Sequence, residues 1–335
     1  MANRDLLAMG MSAGGFEALR FLASRLPGDL QAAVLITFHL SSQFRSELDI
    51  ILSRSGPLPA TFARDGEHLE KSRIYIAPSS YHLLVDGGTL SLGVGPRENH
   101  ARPAIDPMLR SIAACCGFRA IGVVLTGALY DGASGLWALK ECGGITVVQD
   151  PSDAAFPEMP RSALSRSVPD HVVKMEDLPG LLQRLVLEPA GKPRPLPDTL
   201  HYEIEVAKNG YSSMNEMDRI GQRSVLSCPD CGGVMWEMEE GELIRYRCHI
   251  GHAYTGELMS VALDEDLRRA LGTALRALEE RGALMKRLHQ QAISRGHHHS
   301  AHDWEQKVRE FEQQEQTIRA AIGRMEDITA RYAQG

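Results

Sequence analysis

The stretch Asp5-Leu6-Leu7-Ala8-Met9-Gly10-Met11-Ser12-Ala13-Gly14-Gly15 limits what this chain can fold into more than any other. A short apolar run breaks into glycines and small residues, and from Phe16 the apolar positions Phe16, Leu19, Phe21, Leu22 and Leu26 lie on one helical face. The order is therefore strand, tight turn, helix. A serine in that turn stands at the carboxyl end of a strand and ahead of a helix, with neighbours small enough to let a carbonyl group come close. Gly10-x-Ser12-x-Gly14 reads either as a nucleophile elbow or as an ordinary glycine turn that holds a serine; its partners elsewhere in the chain decide between the two.

The same alternation continues to about residue 187. Ala33 to Phe38 is a continuous apolar run, typical of a strand covered on both faces, and it ends at His39. A helix is expected near 42–54, a short strand over Arg73–Pro78, and a hairpin over His82–Leu92 around Asp86-Gly87-Gly88. Pro103 opens a helix to about Cys116, and Ile121–Gly127 is a buried strand leading to Asp131-Gly132-Ala133-Ser134, where a helix to Cys142 begins. A strand at Ile145–Gln149 and helical patterns near 160–168 and 176–187 follow. This order predicts an α/β fold with a doubly wound, mostly parallel sheet.

In such a sheet the binding crevice lies outside the carboxyl ends of the strands. Ser12, His39 and Asp131 each follow one of these runs, so one edge collects a nucleophile, a general base and an orienting acid. Backbone N–H groups at the turn after Ser12 are candidates for stabilising an oxyanion. Singly, a histidine at a strand end is commonly structural and an Asp-Gly before a helix is commonly a cap; the conjunction of all three points to chemistry. An arrangement in the chain order of the α/β-hydrolases would instead take Ser12, Asp106 or Asp131, and then His171, but His39 has the better strand-end position.

Composition narrows the function further. The chain has 335 residues, 43% of them apolar, which is ample for a sizeable core. Its net charge is −7 and its 36 basic residues are dispersed, which disfavours a nucleic-acid partner. No apolar run approaches the roughly 20 residues needed to span a bilayer, and the first ten residues lack the apolar core of a secretory signal; no membrane insertion and a cytoplasmic location are expected. The six cysteines, Cys115, Cys116, Cys142, Cys228, Cys231 and Cys248, suit reduced thiols plus a metal site better than a disulfide framework.

Residues 188–200, beginning Glu-Pro-Ala-Gly-Lys-Pro-Arg-Pro-Leu-Pro, read as a semi-rigid linker. His201–Val206 alternates and reads as a strand. Within 201–255, Cys228-Pro229-Asp230-Cys231 precedes Cys248-His249-Ile250-Gly251-His252, a pair of turns that suits a tetrahedral zinc ion held by Cys228, Cys231, Cys248 and His252. Ordinary thiols or a redox C-x-x-C are the plainer readings, and His249 competes with His252 for the fourth position. With four protein ligands such a zinc would be structural, in a zinc-ribbon-like module. Residues 256–335 read as two long helices joined near Ser294–His302. Leu267, Leu271, Leu275 and Leu278 stripe the first, and Trp304, Val308, Phe311, Ile318, Ile322, Met325 and Tyr332 form a heptad seam on the second, interrupted by Glu315. The seam closes on itself as an antiparallel hairpin or serves as a docking surface. His297-His298-His299 and His302 read as an exposed loop.

Taken together, residues 5–187 strongly resemble the catalytic domain of the chemotaxis protein-glutamate methylesterases, the CheB family. The residues carrying the resemblance are Gly10-Met11-Ser12-Ala13-Gly14-Gly15, the strand ending at His39, Asp65-Gly66-Glu67 leading to Ile74–Pro78, Arg102-Pro103-Ala104-Ile105-Asp106, Leu125-Thr126-Gly127 through Asp131-Gly132-Ala133, and Met159-Pro160-Arg161-Ser162-Ala163. The resemblance implies that the family's serine, histidine and aspartate fall on Ser12, His39 and Asp131. It implies hydrolysis of glutamate methyl esters on a chemoreceptor-type helical bundle, deamidation of glutamine, no catalytic cofactor, and a place among chemotaxis signalling proteins. The C-x2-C and C-x3-H pair resembles a module of receiver-less relatives. Ala13 stands where the family ordinarily has a hydroxyl residue, and Ala128 where it has methionine, followed by Leu129-Tyr130. The catalytic strand starts within ten residues of the N-terminus, so a receiver domain and control by phosphorylation in cis are not expected. The rival readings are a serine esterase or deamidase for another protein, and a non-catalytic adaptor working through the zinc module and helices.

Overall fold

The protein is described here from a computed structural model covering residues 3–39, 46–196, 198–211, 213–240 and 243–332. The chain forms two compact units, Met1–Met259 and Ser260–Gly335.

The first unit is built on β1 (Leu6–Met11), α1 (Gly15–Arg25), β2 (Ala33–Phe38), α2 (Leu48–Ser55), β3 (Ala60–Phe62) and β4 (Ile74–Ile76). A hairpin, β5 (His82–Asp86) and β6 (Thr89–Gly93), precedes α3 (Ile105–Cys116), β7 (Ala120–Val124), α4 (Ala133–Glu141), β8 (Ile145–Gln149), α5 (Glu158–Arg166), β9 (His171–Val173) and α6 (Leu178–Leu185). Seven strands form one sheet in the order β3-β4-β2-β1-β7-β8-β9, every pair parallel. The expected doubly wound α/β fold is present. Residues 42–45, where the second helix was expected to begin, lie outside the described residues.

Strand periodicity divides the core in two. Leu7, Met9 and Met11 of β1 and Val34 and Ile36 of β2 face the side covered by α1, α2 and α6; Leu6, Ala8, Ala33 and Leu35 face α3, α4 and α5. Both faces are covered, which is why the strands read as unbroken apolar runs. After β1 the chain builds outward through β2, then returns to place β7 on the other side of β1. The crevice at this reversal is where ligands bind in open parallel sheets.

The remainder of the first unit differs from expectation at its start. Residues 201–206 belong to a helix, α7 (Asp198–Asn209), not a strand. Tyr202, Ile204 and Val206 alternate with glutamates, but Leu200, Glu203, Ile204 and Ala207 recur at helical spacing. Leu200 and Ile204 join the core on the α3 side, and Glu203 is buried because arginines meet it. A capping box, Ser213 with Glu216, starts α8 (Met214–Ile220). Four antiparallel strands follow: β10 (Gln222–Ser227), β11 (Val234–Glu240), β12 (Leu243–Cys248) and β13 (Ala253–Thr255). Their small core centres on the buried Trp236, packed with Met217, Ile220 and Met238.

The second unit is a hairpin of α9 (Gly256–Ser294), whose first turn lies in the first unit, and α10 (His298–Tyr332). Gly296 takes φ 74° at the turn, and His297 N–H closes back on the Ala292 carbonyl at 2.9 Å. Trp304, Val308, Phe311, Ile318, Ile322 and Met325 are half-buried along one face of α10, as the heptad predicts, and Glu315 sits in that seam opposite Gly282. The side chain of Tyr332 lies outside the described residues. On α9 the seam holds Leu271, Leu275 and Leu278 but turns away from Leu267, which is 50% exposed. Spacings of four drift around a helix with 3.6 residues per turn, so a stripe of fours leaves the seam at its end. His298, His299 and His302 lie in the exposed start of α10, not in a loop.

Candidate active site and metal centre

Ser12 follows β1 directly, in the turn before α1. Gly14 takes φ 73° to make that turn, and a Cβ there would press on Thr126, Ala155 and Phe156. The neighbouring loop fixes the serine from the other side: Ser12 N–H donates to the Thr126 carbonyl at 3.0 Å, and Thr126 Oγ1 donates to the Ala13 carbonyl at 3.0 Å. His39 follows β2, the strand beside β1, and its N–H reaches the Met11 carbonyl at 3.4 Å. Its Nδ1 is 3.1 Å from Ser12 Oγ and its Nε2 is 2.8 Å from Asp131 Oδ2. The three residues expected on one edge are thus joined in one hydrogen-bonded chain. His171, the alternative histidine, lies in β9 at the far edge of the sheet.

Asp131 is buried and well satisfied. Besides His39, its Oδ2 accepts from Ile105 N–H at 2.6 Å, while Oδ1 accepts from Asp106 N–H at 3.2 Å, Gly132 N–H at 2.9 Å and the Asn99 amide at 3.1 Å. Two of these donors are the first N–H groups of α3, where the helix dipole favours an anion. Burial pushes the carboxyl up, but the His39 bond and charge and the donors from Ile105 and Asn99 hold it below the usual carboxylate range. Asp106 has the opposite fate. Burial and the nearby Asp131 charge raise it to about 7, although it accepts from Gly135 N–H and from the Asn99 amide.

Two residues of this site carried no signal in the sequence. Asn99 bridges Asp106 and Asp131 from the loop just before the Arg102–Asp106 motif but outside it; its only trace is that asparagine tolerates left-handed backbone, which it adopts here at φ 50°. His82 is wholly buried, receives Ala104 N–H on Nδ1 and reaches the Pro96 carbonyl with Nε2, tying both ends of the loop before α3. Burial lowers its pKa, which keeps the ring neutral.

In the β10–β13 sheet, Cys228, Cys231, Cys248 and His252 place their donor atoms within 4.8 Å of one another. Cys228 N–H and Gly232 N–H close the first turn and Cys248 N–H and Gly251 N–H the second. The donor set, three sulfurs and one imidazole at the ends of two tight turns, fits a tetrahedral zinc ion. His249, the competing ligand, is outside this group.

Residues 7–182 match the family described as CheB methylesterase. A putative protein-glutamate methylesterase/protein-glutamine glutaminase of Leptospira interrogans serogroup Icterohaemorrhagiae serovar copenhageni is 35% identical over 184 residues, 55% of this chain and 95% of that protein. Protein-glutamate methylesterase/protein-glutamine glutaminase 3 of Myxococcus xanthus is 38% identical over 181 residues, and there the match covers 54% of this chain and 51% of the relative. Among solved structures, the Thermotoga maritima CheB methylesterase catalytic domain superposes with a TM-score of 0.52 at 28% identity, over 56% of this chain and 100% of that one. The family match includes Ser12, His39 and Asp131 and ends before the first of the clustered cysteines. The chain belongs to the CheB methylesterase family.

Proposed function

We propose that this chain hydrolyses glutamate methyl esters on chemoreceptor-type proteins, with Ser12 as nucleophile, His39 as general base and then acid, and Asp131 as the anion that orients and charge-balances the ring. The observation that carries the reading is the continuous contact from Ser12 Oγ through both ring nitrogens of His39 to Asp131 Oδ2, within a CheB-family domain. With its proton on Nε2, facing Asp131, the ring offers the Nδ1 lone pair to the serine hydroxyl.

Ser12 Oγ attacks the ester carbonyl as its proton passes to Nδ1. The tetrahedral oxyanion collapses, the C–O bond to methoxide breaks, and Nδ1 returns the proton so that methanol leaves. Water then repeats the cycle on the acyl-serine, giving a free carboxylate and restoring Ser12. The same steps on a glutamine side chain release ammonia, the deamidase reaction. Among the described residues the N–H groups of Ala13 and Gly14 donate no hydrogen bond, which supports them as oxyanion donors. The restored carboxylate adds negative charge to the substrate helix and so biases a signalling equilibrium.

A structural zinc on Cys228, Cys231, Cys248 and His252 belongs to the same reading; when bound it supplies a cross-link between the two turns and no catalytic step. No helix among the described residues is long and apolar enough to cross a membrane. A cytoplasmic setting accords with thiolates that must stay reduced.

Methanol release from methylated receptor cytoplasmic fragments, in zinc-replete buffer, tests the reading. Wild-type protein is expected to release methanol and Ser12→Ala to release none above background. A folded wild type no faster than the variant on verified methylated substrate would reject it.

A further inference from the structure

The four-stranded sheet lies beyond the family match, yet it reaches the catalytic acid through one turn. In the loop before α3, Glu98 and Ala101 exchange backbone hydrogen bonds of 3.2 and 2.9 Å around Asn99 and His100, whose φ values are 50° and 63°. Two consecutive left-handed residues that carry a Cβ persist only where their surroundings hold them.

The holding groups come from β12, β13 and the two metal turns. Asn99 N–H donates to the Ala253 carbonyl at 2.9 Å, and Glu98 pairs with Ala253 as an isolated bridge. The His100 ring meets Tyr254 edge-on at 5.2 Å, and the Tyr254 hydroxyl donates at 2.6 Å to Asp230, between Cys228 and Cys231. Arg247, next to Cys248 and wholly buried, donates to Glu98 Oε1 at 2.9 Å and to the Gly251 carbonyl inside the second turn, also at 2.9 Å. Both metal turns are therefore anchored to the segment Glu98–His100. From that segment the Asn99 amide reaches inward to Asp131 and Asp106.

We propose that Asn99 is a positioning residue for Asp131, and that the metal-bearing sheet holds it there, so that metal occupancy sets the geometry of the His39–Asp131 pair. The inference rests on the triad reading above. Without the Asn99 amide, Oδ1 of Asp131 loses one donor and two buried carboxylates face each other directly. A proton shared between them weakens the anion that His39 needs. Substrate contacts are unaffected, so the loss falls on kcat and not on KM. If Arg247 and Glu98 served only to dock the sheet, their loss would lower stability and leave kcat alone.

The test uses the full chain loaded with zinc. Asn99→Ala is expected to lower kcat by roughly ten- to a hundredfold at unchanged KM, as losses of supporting hydrogen bonds do. Arg247→Met, or zinc removal by a chelator with released metal counted by a dye, should lower kcat similarly in wild type and have no further effect in Asn99→Ala. Should Arg247→Met fail to fold, Tyr254→Phe, which removes only the bond to Asp230, replaces it. A substrate-free readout accompanies these: the far-downfield proton signal of His39 Nε2–H should move in Asn99→Ala and on zinc removal. Unchanged kcat in Asn99→Ala, additive losses, or an unmoved His39 signal would overturn the inference. A wild type that releases no methanol rejects the triad reading instead, and the His39 signal still decides this one.

Discussion

At the scale of single residues, the site turns on how two buried carboxylates are treated differently. Asp131 accepts from His39, Asn99 and three backbone N–H groups and stays an anion; Asp106, beside it, is raised to about 7 by burial and by that anion. Asp131→Asn removes the anion while keeping the shape, and kcat should fall by about 10⁴-fold with KM little changed, read from methanol release. The two groups also pull stability in opposite directions with pH. The depressed Asp131 contributes stability above the ordinary carboxylate range, lost as pH falls through its folded value. The raised Asp106 contributes stability below its ordinary value of 3.8, lost as pH rises through about 7. Thermal melts should therefore show Tm declining between about pH 4 and 7 and levelling above that; Asp106→Asn, whatever its offset, should lack that decline, and equal slopes in both proteins would sink the assignment. Ser12, His39 and Asp131 were legible because each follows a strand, where topology fixes its place. Asn99 was not, because its position depends on contacts with Ala253, more than 150 residues away in the chain.

At the scale of elements, small residues set how closely α3 approaches β1 and α4. A Cβ on Gly10 would lie 2.3 Å from Ile105, and one on Gly135 2.6 Å from Leu109 and 2.9 Å from the Asp106 carbonyl. That approach delivers the Ile105 and Asp106 N–H groups to Asp131. Gly10→Ala should cost about 1–3 kcal/mol in chemical denaturation and lower kcat more than KM rises, because displacing α3 withdraws two donors from the acid. A variant with wild-type kcat would show that the site tolerates the shift. Strand and helix order in the first 187 residues was readable from apolar runs covered on both faces. Residues 201–206 were misread because their alternation is imposed by glutamates, one of which, Glu203, is buried against Arg245 and Arg247. A buried charge looks like a solvent-facing one until its partners are known. The α9 seam was readable over Leu271–Leu278 and not at Leu267, where spacings of four outrun the helical repeat.

At the scale of the molecule, a parallel-sheet esterase and a small antiparallel sheet share a buried ionic cluster. Glu98 and Glu203 meet Arg110, Arg245 and Arg247, all at most 2% exposed. Breaking such a cluster by removing one partner leaves a buried charge uncompensated and typically costs about 3–5 kcal/mol. Glu203→Ala should lower the unfolding free energy read from chemical denaturation by that amount, whereas an unchanged midpoint would mean that the cluster contributes nothing to the stability of the first unit. The small sheet has a core of few side chains, and a zinc ion held by Cys228, Cys231, Cys248 and His252 would supply on the order of 10 kcal/mol of folding energy. Zinc removal should accordingly release the fluorescence of Trp236 from its buried environment, since Trp236 is the centre of that core. The clustering of Cys228, Cys231, Cys248 and His252 was plain in their spacing; the joining cluster was invisible, because Glu98, Arg110, Glu203 and Arg247 come from four separate segments and none belongs to a motif.

The most direct test of the whole account is acid-quenched mixing with a methyl-esterified receptor peptide, followed by mass spectrometry of the peptide that contains Ser12. The expected result is an adduct on Ser12 equal to the substrate less methanol, strongly diminished when His39 is replaced by glutamine, because that ring takes the serine proton, and absent together with methanol release in Ser12→Ala. Methanol release by Ser12→Ala at the wild-type rate would contradict it.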